Sequence, residues 1–181
     1  MEFTLRRAAP ADLDRIMVLE NAGFAAGIVE DREVFARRLE AFPQGFLLAD
    51  SSGGPALGYL CAELWSGWSL SEPRRFDLGH DLGAWHDPKG STLYVASMTV
   101  APEWRGTGAG RAMFRASLGR LLDEFPAVRK AVLVVNESWA AARSIYLGEG
   151  FGEVGRLAGF FRPWGGPLGD AIVMKKETGR D

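Results

Sequence analysis

Gly106, Gly108 and Gly110 alternate within residues 101–110 (APEWRGTGAG), between an apolar run and a helical pattern. Glycine reaches left-handed backbone conformations and leaves no Cβ between the amides and a ligand. At the head of a helix, such residues can cradle an anion, because the first N–H groups point outward and the dipole favours negative charge. The same spacing suits an ordinary tight turn, and both readings stand at this point. Two phosphate motifs are absent: Arg111 takes the third glycine position of G-x-G-x-x-G, and no G-x-x-x-x-G-K-[ST] run occurs. Nucleotide hydrolysis and hydride transfer therefore lack their usual sequence basis.

Other reactive side chains are few. Cys61 is alone, which excludes an internal disulfide and a cysteine-rich zinc site. His80 and His86 are the two histidines, too few for most metal cages, and no metal is expected. Lys+Arg is 21 against 23 Asp+Glu, a net charge of −2 that gives no case for a nucleic-acid partner. No apolar run approaches the roughly 18 residues of a membrane span. Glu2, Arg6 and Arg7 are followed by no apolar segment, so no signal peptide and a cytoplasmic location are expected.

The elements that must position these groups form one domain, as 181 residues allow. The pattern predicts a strand at 3–8 and a helix opened by Pro10 with Leu13, Ile16, Met17 and Leu19 on its buried face. Asp31 caps a second helix with Val34, Phe35, Leu39 and Phe42 inward. Residues 45–49 and 56–65 read as a hairpin around a Ser/Gly/Pro cluster at 51–55. Strands follow at 92–100 and 129–135. A helix between them buries Met113, Phe114, Leu118, Leu121, Leu122 and Phe125. A further helix at 138–147 is capped by Ser138, and strands at 151–161 and 170–176 close the chain. Residues 67–90 have no clean period but many aromatics, and read as an ordered insert that lines or covers a site.

Arg105-Gly106-Thr107-Gly108-Ala109-Gly110 matches [QR]-x-x-G-x-[GA]. Ala142-Arg143-Ser144-Ile145-Tyr146 with Gly150-Phe151 follows A-R-x-[LI]-Y-x-x-x-G-F. Together, with the lead-in Val100 to Trp104, they resemble the two signatures of the GCN5-related N-acetyltransferase (GNAT) superfamily. The resemblance covers residues 3–177. It implies an α/β (α+β) fold, with a mixed, mostly antiparallel sheet of about seven strands flanked by about four helices. Residues 1–177 form the domain and 178–181 a tail. The insert and lead-in also resemble arylalkylamine N-acetyltransferases.

The resemblance implies acetyl-CoA as co-substrate. Its pyrophosphate would sit on the amides from Gly106 to Arg111, through Thr107, Gly108, Ala109 and Gly110, with Arg105 or Arg111 adding a charge-assisted contact. Met98 and Val100 would pair with the pantetheine arm through their backbone, and Asn136 and Arg143 complete the expected cofactor contacts. Asn136 fits a turn or capping role equally well. Tyr146 is the expected general acid, protonating the departing thiolate. Trp139 departs from the family, many members of which carry asparagine there.

The strand before the glycine loop offers Tyr94, Ala96 and Ser97, with no ionisable base. A water chain ordered by Ser97 and Tyr94, or Asp81 or His86 from the insert, would have to take the amine's proton. The acceptor pocket is expected between the 20s loop, the insert and residues 158–168, lined by Phe24, Trp68, Trp85, Phe160, Phe161 and Trp164. Asp77 and Asp81 would draw a cation there. These features point to acetylation of a small primary amine, arylalkylamine or polyamine-like, by direct attack. The alternatives are a peptide or protein α-amine acceptor and a non-catalytic coenzyme A-binding module. The resemblance also allows a homodimer.

Overall fold

A computed structural model describes residues 2–51 and 54–179. Seven strands form one sheet in the order β1-β2-β3-β4-β5-β7-β6. They are β1 (Phe3–Arg7), β2 (Phe46–Ser51), β3 (Ala56–Trp65), β4 (Thr92–Val100), β5 (Lys130–Asn136), β6 (Gly152–Phe161) and β7 (Gly169–Glu177). All neighbours are antiparallel except β4 and β5. The expected mixed α+β fold is therefore present.

Among the described residues five α-helices flank the sheet: α1 (Leu13–Gly23), α2 (Arg32–Ala41), α3 (Leu82–Trp85), α4 (Ala109–Glu124) and α5 (Ala140–Gly148). Pro10 opens a short 3₁₀ turn, Pro10–Asp12, ahead of α1. Its fixed φ suits a first turn, where its missing N–H costs no ladder bond. On one face of the sheet, α4 and α5 bury Phe114, Leu118, Leu121 and Tyr146 against Leu60, Leu64, Leu93 and Leu133. On the other, α1 and α2 bury Ile16, Leu19, Phe35 and Leu39 against Phe46, Leu48, Tyr59 and Cys61. Side chains of a strand alternate between these faces, so the near-continuous burial of β3 follows from its being covered on both.

The insert packs on the α1 face of the sheet. Phe76 joins Trp65, Tyr94, Val132 and Val173 in a closed cluster, and the Trp65 and Tyr94 rings stack at 4.1 Å. His80 reaches Glu63 at 2.9 Å, and Trp65 Nε1 donates to the same carboxylate at 3.0 Å. Burial works against the charge of Glu63. The His80 hydrogen bond, the charges of His80 and Arg38, and the Trp65 donor outweigh it and hold its pKa below the ordinary value.

Candidate active site

The parallel pairing of β4 and β5 runs from Thr92↔Lys130 to Val95↔Leu133 and stops there. Beyond it the strands diverge, and a cleft of about 830 Å³ opens between residues 95–100 and 133–135. The cleft runs from the head of α4, past α5, to the end of α1. Backbone groups of β4 that would otherwise pair with β5 face it, so a ligand can bind as a strand would.

The glycine loop closes one end. Gly106 and Gly108 have φ of +75° and +88°, and nothing lies within 4 Å of where a Cβ would stand on either. They are glycines for conformation, not for space. Gly110 differs: a Cβ there would come 3.3 Å from Ile145 Cδ1, so it sets how closely α4 and α5 approach. The helix ladder begins with Ala112 N donating to Gly108 O. The amides of residues 109–111 thus precede the ladder, as an anion cradle requires, with Ala109 N making a long, 3.4 Å contact to Thr107 Oγ1. Thr107 Oγ1 is turned back onto Trp104 O at 2.7 Å.

The expected cofactor contacts divide. Met98, Val100, Arg105, Gly106, Gly108, Gly110 and Arg111 line the cleft. The Arg105 guanidinium, however, donates to Ala22 O at 2.7 Å and Val100 O at 3.3 Å, tying the loop to α1. Arg111, whose Nη2 donates to Ser144 O at 3.4 Å, is the second cation of the cleft wall and the less firmly held of the two. Asn136 and Arg143 stand outside the lining. Asn136 Oδ1 accepts from Ser138 N at 2.9 Å and Ser138 Oγ at 2.8 Å, which makes it a turn residue. Trp139, and not Ser138, is the residue preceding α5. Arg143 pairs with Glu153 at 2.5 Å and donates to Glu137 O. Tyr146 lines the cleft from α5. Its ring packs on Phe114 at 5.0 Å, and burial pushes its phenol up to about 12, so it is held protonated.

The opposite end is aromatic and acidic. Trp139 packs between Phe24, at 5.5 Å, and Phe161, at 5.0 Å, in tilted ring contacts, with Ile28 and Leu78 beside them in the lining. Trp139, where many relatives of the resembled family carry asparagine, is thus part of an apolar wall. The three expected segments do meet here, the first and last through the expected Phe24 and Phe161, the insert through a residue that was not expected. The insert contributes Leu78, while Trp68 packs on Phe76 and Trp85 lies under the Arg75 guanidinium at 4.4 Å. Asp81 accepts from Gly83 N and caps α3. Phe161 lines the cleft, and Phe160 stands behind it, edge-on to the Phe161 ring at 4.8 Å and packed between the Trp65 cluster and the Ile28–Phe161 cluster, where the β6–β7 register shifts. Tyr94 is enclosed against Trp65 and Phe76, so it cannot order water in the cleft.

One group at this end escaped the sequence reading. Glu20 lines the cleft from α1 and is 1% exposed. Tyr59 Oη donates to Glu20 Oε2, Tyr59 Oη and Ser97 Oγ lie 2.9 Å apart, and Glu30 N donates to Glu20 Oε1 at 2.9 Å. Burial lifts the Glu20 carboxyl to about 7, against the opposing hydrogen bonds from Tyr59 and Glu30 N. The signal was present: Leu13, Ile16 and Glu20 fall on one helical stripe, so a carboxylate occupies a core position. Ser97 reaches Tyr59 through a bulge. Cys61 pairs with Ser97 and Ala62 with Val95, so Ala96 is the extra residue that turns Ser97 to the α1 face.

A sequence model described as the Acetyltransferase (GNAT) family matches residues 14–151. The chain belongs to the GNAT acetyltransferase family. It is 24% identical over 128 residues to an uncharacterized N-acetyltransferase, YkwB, of Bacillus subtilis (strain 168), a match covering 67% of this chain and 56% of that one. The chain thus spans little more than half the length of this curated relative. Among solved structures it resembles the GphF GNAT-like decarboxylase in complex with isobutyryl-CoA, at 21% identity and a TM-score of 0.75, covering 96% and 98% of the two chains. It also resembles the ribosomal-protein-S18-alanine N-acetyltransferase from Escherichia coli, at 20% identity and a TM-score of 0.67, covering 97% and 94%. At such identities these likenesses establish the GNAT fold, not a shared substrate.

The remaining nucleophile and bases of this GNAT domain are committed elsewhere. Cys61 is fully buried, and burial pushes its thiol up to about 12 despite the nearby Arg38 charge, so it offers no thiolate. His86 Nδ1 accepts from Leu64 N at 3.2 Å, and burial lowers its pKa. His80 is held by Glu63 and by Asp77 O. Glu30 is bound on both oxygens by Arg38, at 2.6 and 2.9 Å, and by Gly79 N.

Proposed function

We propose that the protein transfers the acetyl group of acetyl-CoA to the primary amine of a small molecule by direct attack in a ternary complex. The observation that carries this reading is one continuous cleft. It joins the amides at the head of α4, the unpaired stretch of β4, Tyr146, and an aromatic end that carries Glu20 and Glu30. In this reading the pyrophosphate rests on the amides of residues 109–111 beside Arg111. The pantetheine arm pairs with Met98 and Val100, and a backbone N–H of β4 polarises the thioester carbonyl. Tyr146 gives its proton to the sulfur as the C–S bond breaks.

The acceptor end suits a cation with an apolar body. Phe24, Trp139 and Phe161 offer ring faces that attract a cation and cover apolar surface. Trp164 N donates to Ala26 O at 2.8 Å, so the loop after β6 is fastened to the loop after α1 beside this end. That closure supports a compact acceptor over an extended peptide. The test is release of coenzyme A thiol in the presence of arylalkylamines, polyamines and dipeptides. Release with a small amine and not with dipeptides supports the reading. Release with dipeptides alone transfers it to a peptide α-amine. No release with any amine, alongside retained acetyl-CoA binding, leaves a coenzyme A-binding module.

A further inference from the structure

Acetyl transfer to an amine requires that an ammonium group, with a pKa near 10, lose a proton before its nitrogen can attack. Resting on the acetyl-transfer reading, we infer that Ser97, Tyr59 and Glu20 form a proton relay that deprotonates the acceptor, with Glu20 the terminal base. Glu20 and Glu30 are the two carboxylates of the cleft lining among the described residues. Their situations differ. Glu30 is neutralised by the buried Arg38 guanidinium. Among the described residues Glu20 has only neutral donors, Tyr59 Oη and Glu30 N, and no cation in contact. A carboxylate without a paired cation, at the wall of a cleft, is the one able to accept a further proton.

The proton inventory fixes the direction of the relay. Ionised Glu20 can only accept, so Tyr59 spends its single proton on it. In the 2.9 Å contact Ser97 Oγ must then donate to Tyr59. Ser97 Oγ is left as the acceptor at the cleft wall. An ammonium N–H gives its proton to Ser97 Oγ, Ser97 gives its own to Tyr59, and Tyr59 gives its own to Glu20. The freed nitrogen lone pair attacks the acetyl carbon, and the C–S bond breaks with the sulfur taking a proton from Tyr146. The second nitrogen proton leaves to water as the amide forms, and water returns one to Tyr146. Glu20 releases its proton to the cleft, so the balance is ammonium plus thioester to amide, thiol and one proton.

The charged and titratable groups facing Glu20 are Glu30 from the loop before α2, Arg38 from α2, and Tyr59 and Cys61 from β3; Ser97 faces it from β4 through Tyr59. Burial and the Glu30 charge raise Glu20, while Tyr59, Glu30 N and Arg38 lower it. The net value of about 7 makes kcat rise with pH through neutrality.

The test uses the full chain and the amine found by thiol release. Glu20→Gln keeps the shape and the Tyr59 contact. It is expected to lower kcat by about 100-fold or more and to abolish the rise near neutrality, with the acetyl-CoA Kd unchanged. Tyr59→Phe, which breaks the relay without touching the cleft wall, is expected to lower kcat in the same direction. An independent measurement on the unaltered protein is a carboxyl-carbon NMR titration of Glu20, expected near 7; a midpoint near the ordinary 4.5 overturns the relay. No thiol release by the unaltered protein sinks the acetyl-transfer reading and the relay with it. Release whose rate and pH limb survive Glu20→Gln sinks the relay alone.

Discussion

Glu20 costs stability where it is ionised. Its folded pKa of about 7 lies above the ordinary 4.5, so the folded state holds a proton that the unfolded state has lost. Stability from this group is fully present below about 4.5 and is lost as pH rises through about 7. Glu20→Gln, which has no charge to bury, should be more stable than the parent at pH 8 by on the order of 3 kcal/mol, from a shift of 4.5 to about 7. The gain should vanish at pH 4, and urea denaturation at the two pH values measures it. A gain of equal size at both would remove the ionisation argument. Tyr146→Phe deletes the proposed acid and leaves the ring on Phe114 in place. Turnover should fall by about 100-fold or more with acetyl-CoA affinity kept; a loss of affinity alone would make Tyr146 a binding residue. At this scale the glycines, Tyr146 and Phe24 were legible, since motif and position name them. Glu20, Tyr59 and the choice of Phe161 over Phe160 were not, because each depends on which face a side chain takes.

Two local departures from regular structure shape the site. Gly108 stands ahead of α4 at φ +88°, where any other residue is strained by about 1–2 kcal/mol. Gly108→Val should loosen the first turn of α4 and weaken acetyl-CoA binding at least tenfold by calorimetry, although nothing lies within 4 Å of a Cβ there. Binding that survives would show that the α4 amides are not the phosphate cradle. The bulge at Ala96 is the second departure, aiming Ser97 at Tyr59. A strict alternation along β4 would place Ser97 on the α4 face, opposite Tyr94 and away from Tyr59. The pairing partner on β3 decides this, and periodicity within one strand carries no such information. Strand positions were legible to within a few residues because their apolar runs are bounded by Gly, Pro and Asp.

Across the molecule, the insert and the cleft are joined by buried charge. Arg38 bridges Glu30, at 2.6 Å, and Glu63, at 3.6 Å, and Glu63 receives His80. Removing one member of a buried ionic group leaves the others uncompensated. Glu63→Ala should cost about 3–5 kcal/mol by chemical denaturation. The Glu63 pKa is depressed, so its contribution is present above about 4.5 and lost as pH falls below it. The acetyl-CoA Kd should not change, because Glu63 lies outside the cleft lining. The insert's aromatics drew attention as pocket residues, yet Trp68 and Trp85 serve packing, the commoner use of a large ring. No helix among the described residues is long and apolar enough to cross a membrane. The strand order and the divergence of β4 from β5 are properties of the assembled sheet; the signature motifs implied a mixed, mostly antiparallel sheet of about seven strands, but neither its order nor the divergence.

Direct transfer within this one cleft is the central claim. Cys61 is its natural competitor as an acyl carrier, and it is buried with its thiol held protonated. The most direct measurement is intact-protein mass spectrometry, with simultaneous thiol quantification, after mixing with acetyl-CoA with and without the amine. The account predicts an unmodified protein in both samples and one thiol released per acetylated amine, only when amine is present. An acetylated protein that forms without amine and is discharged by its addition would contradict it.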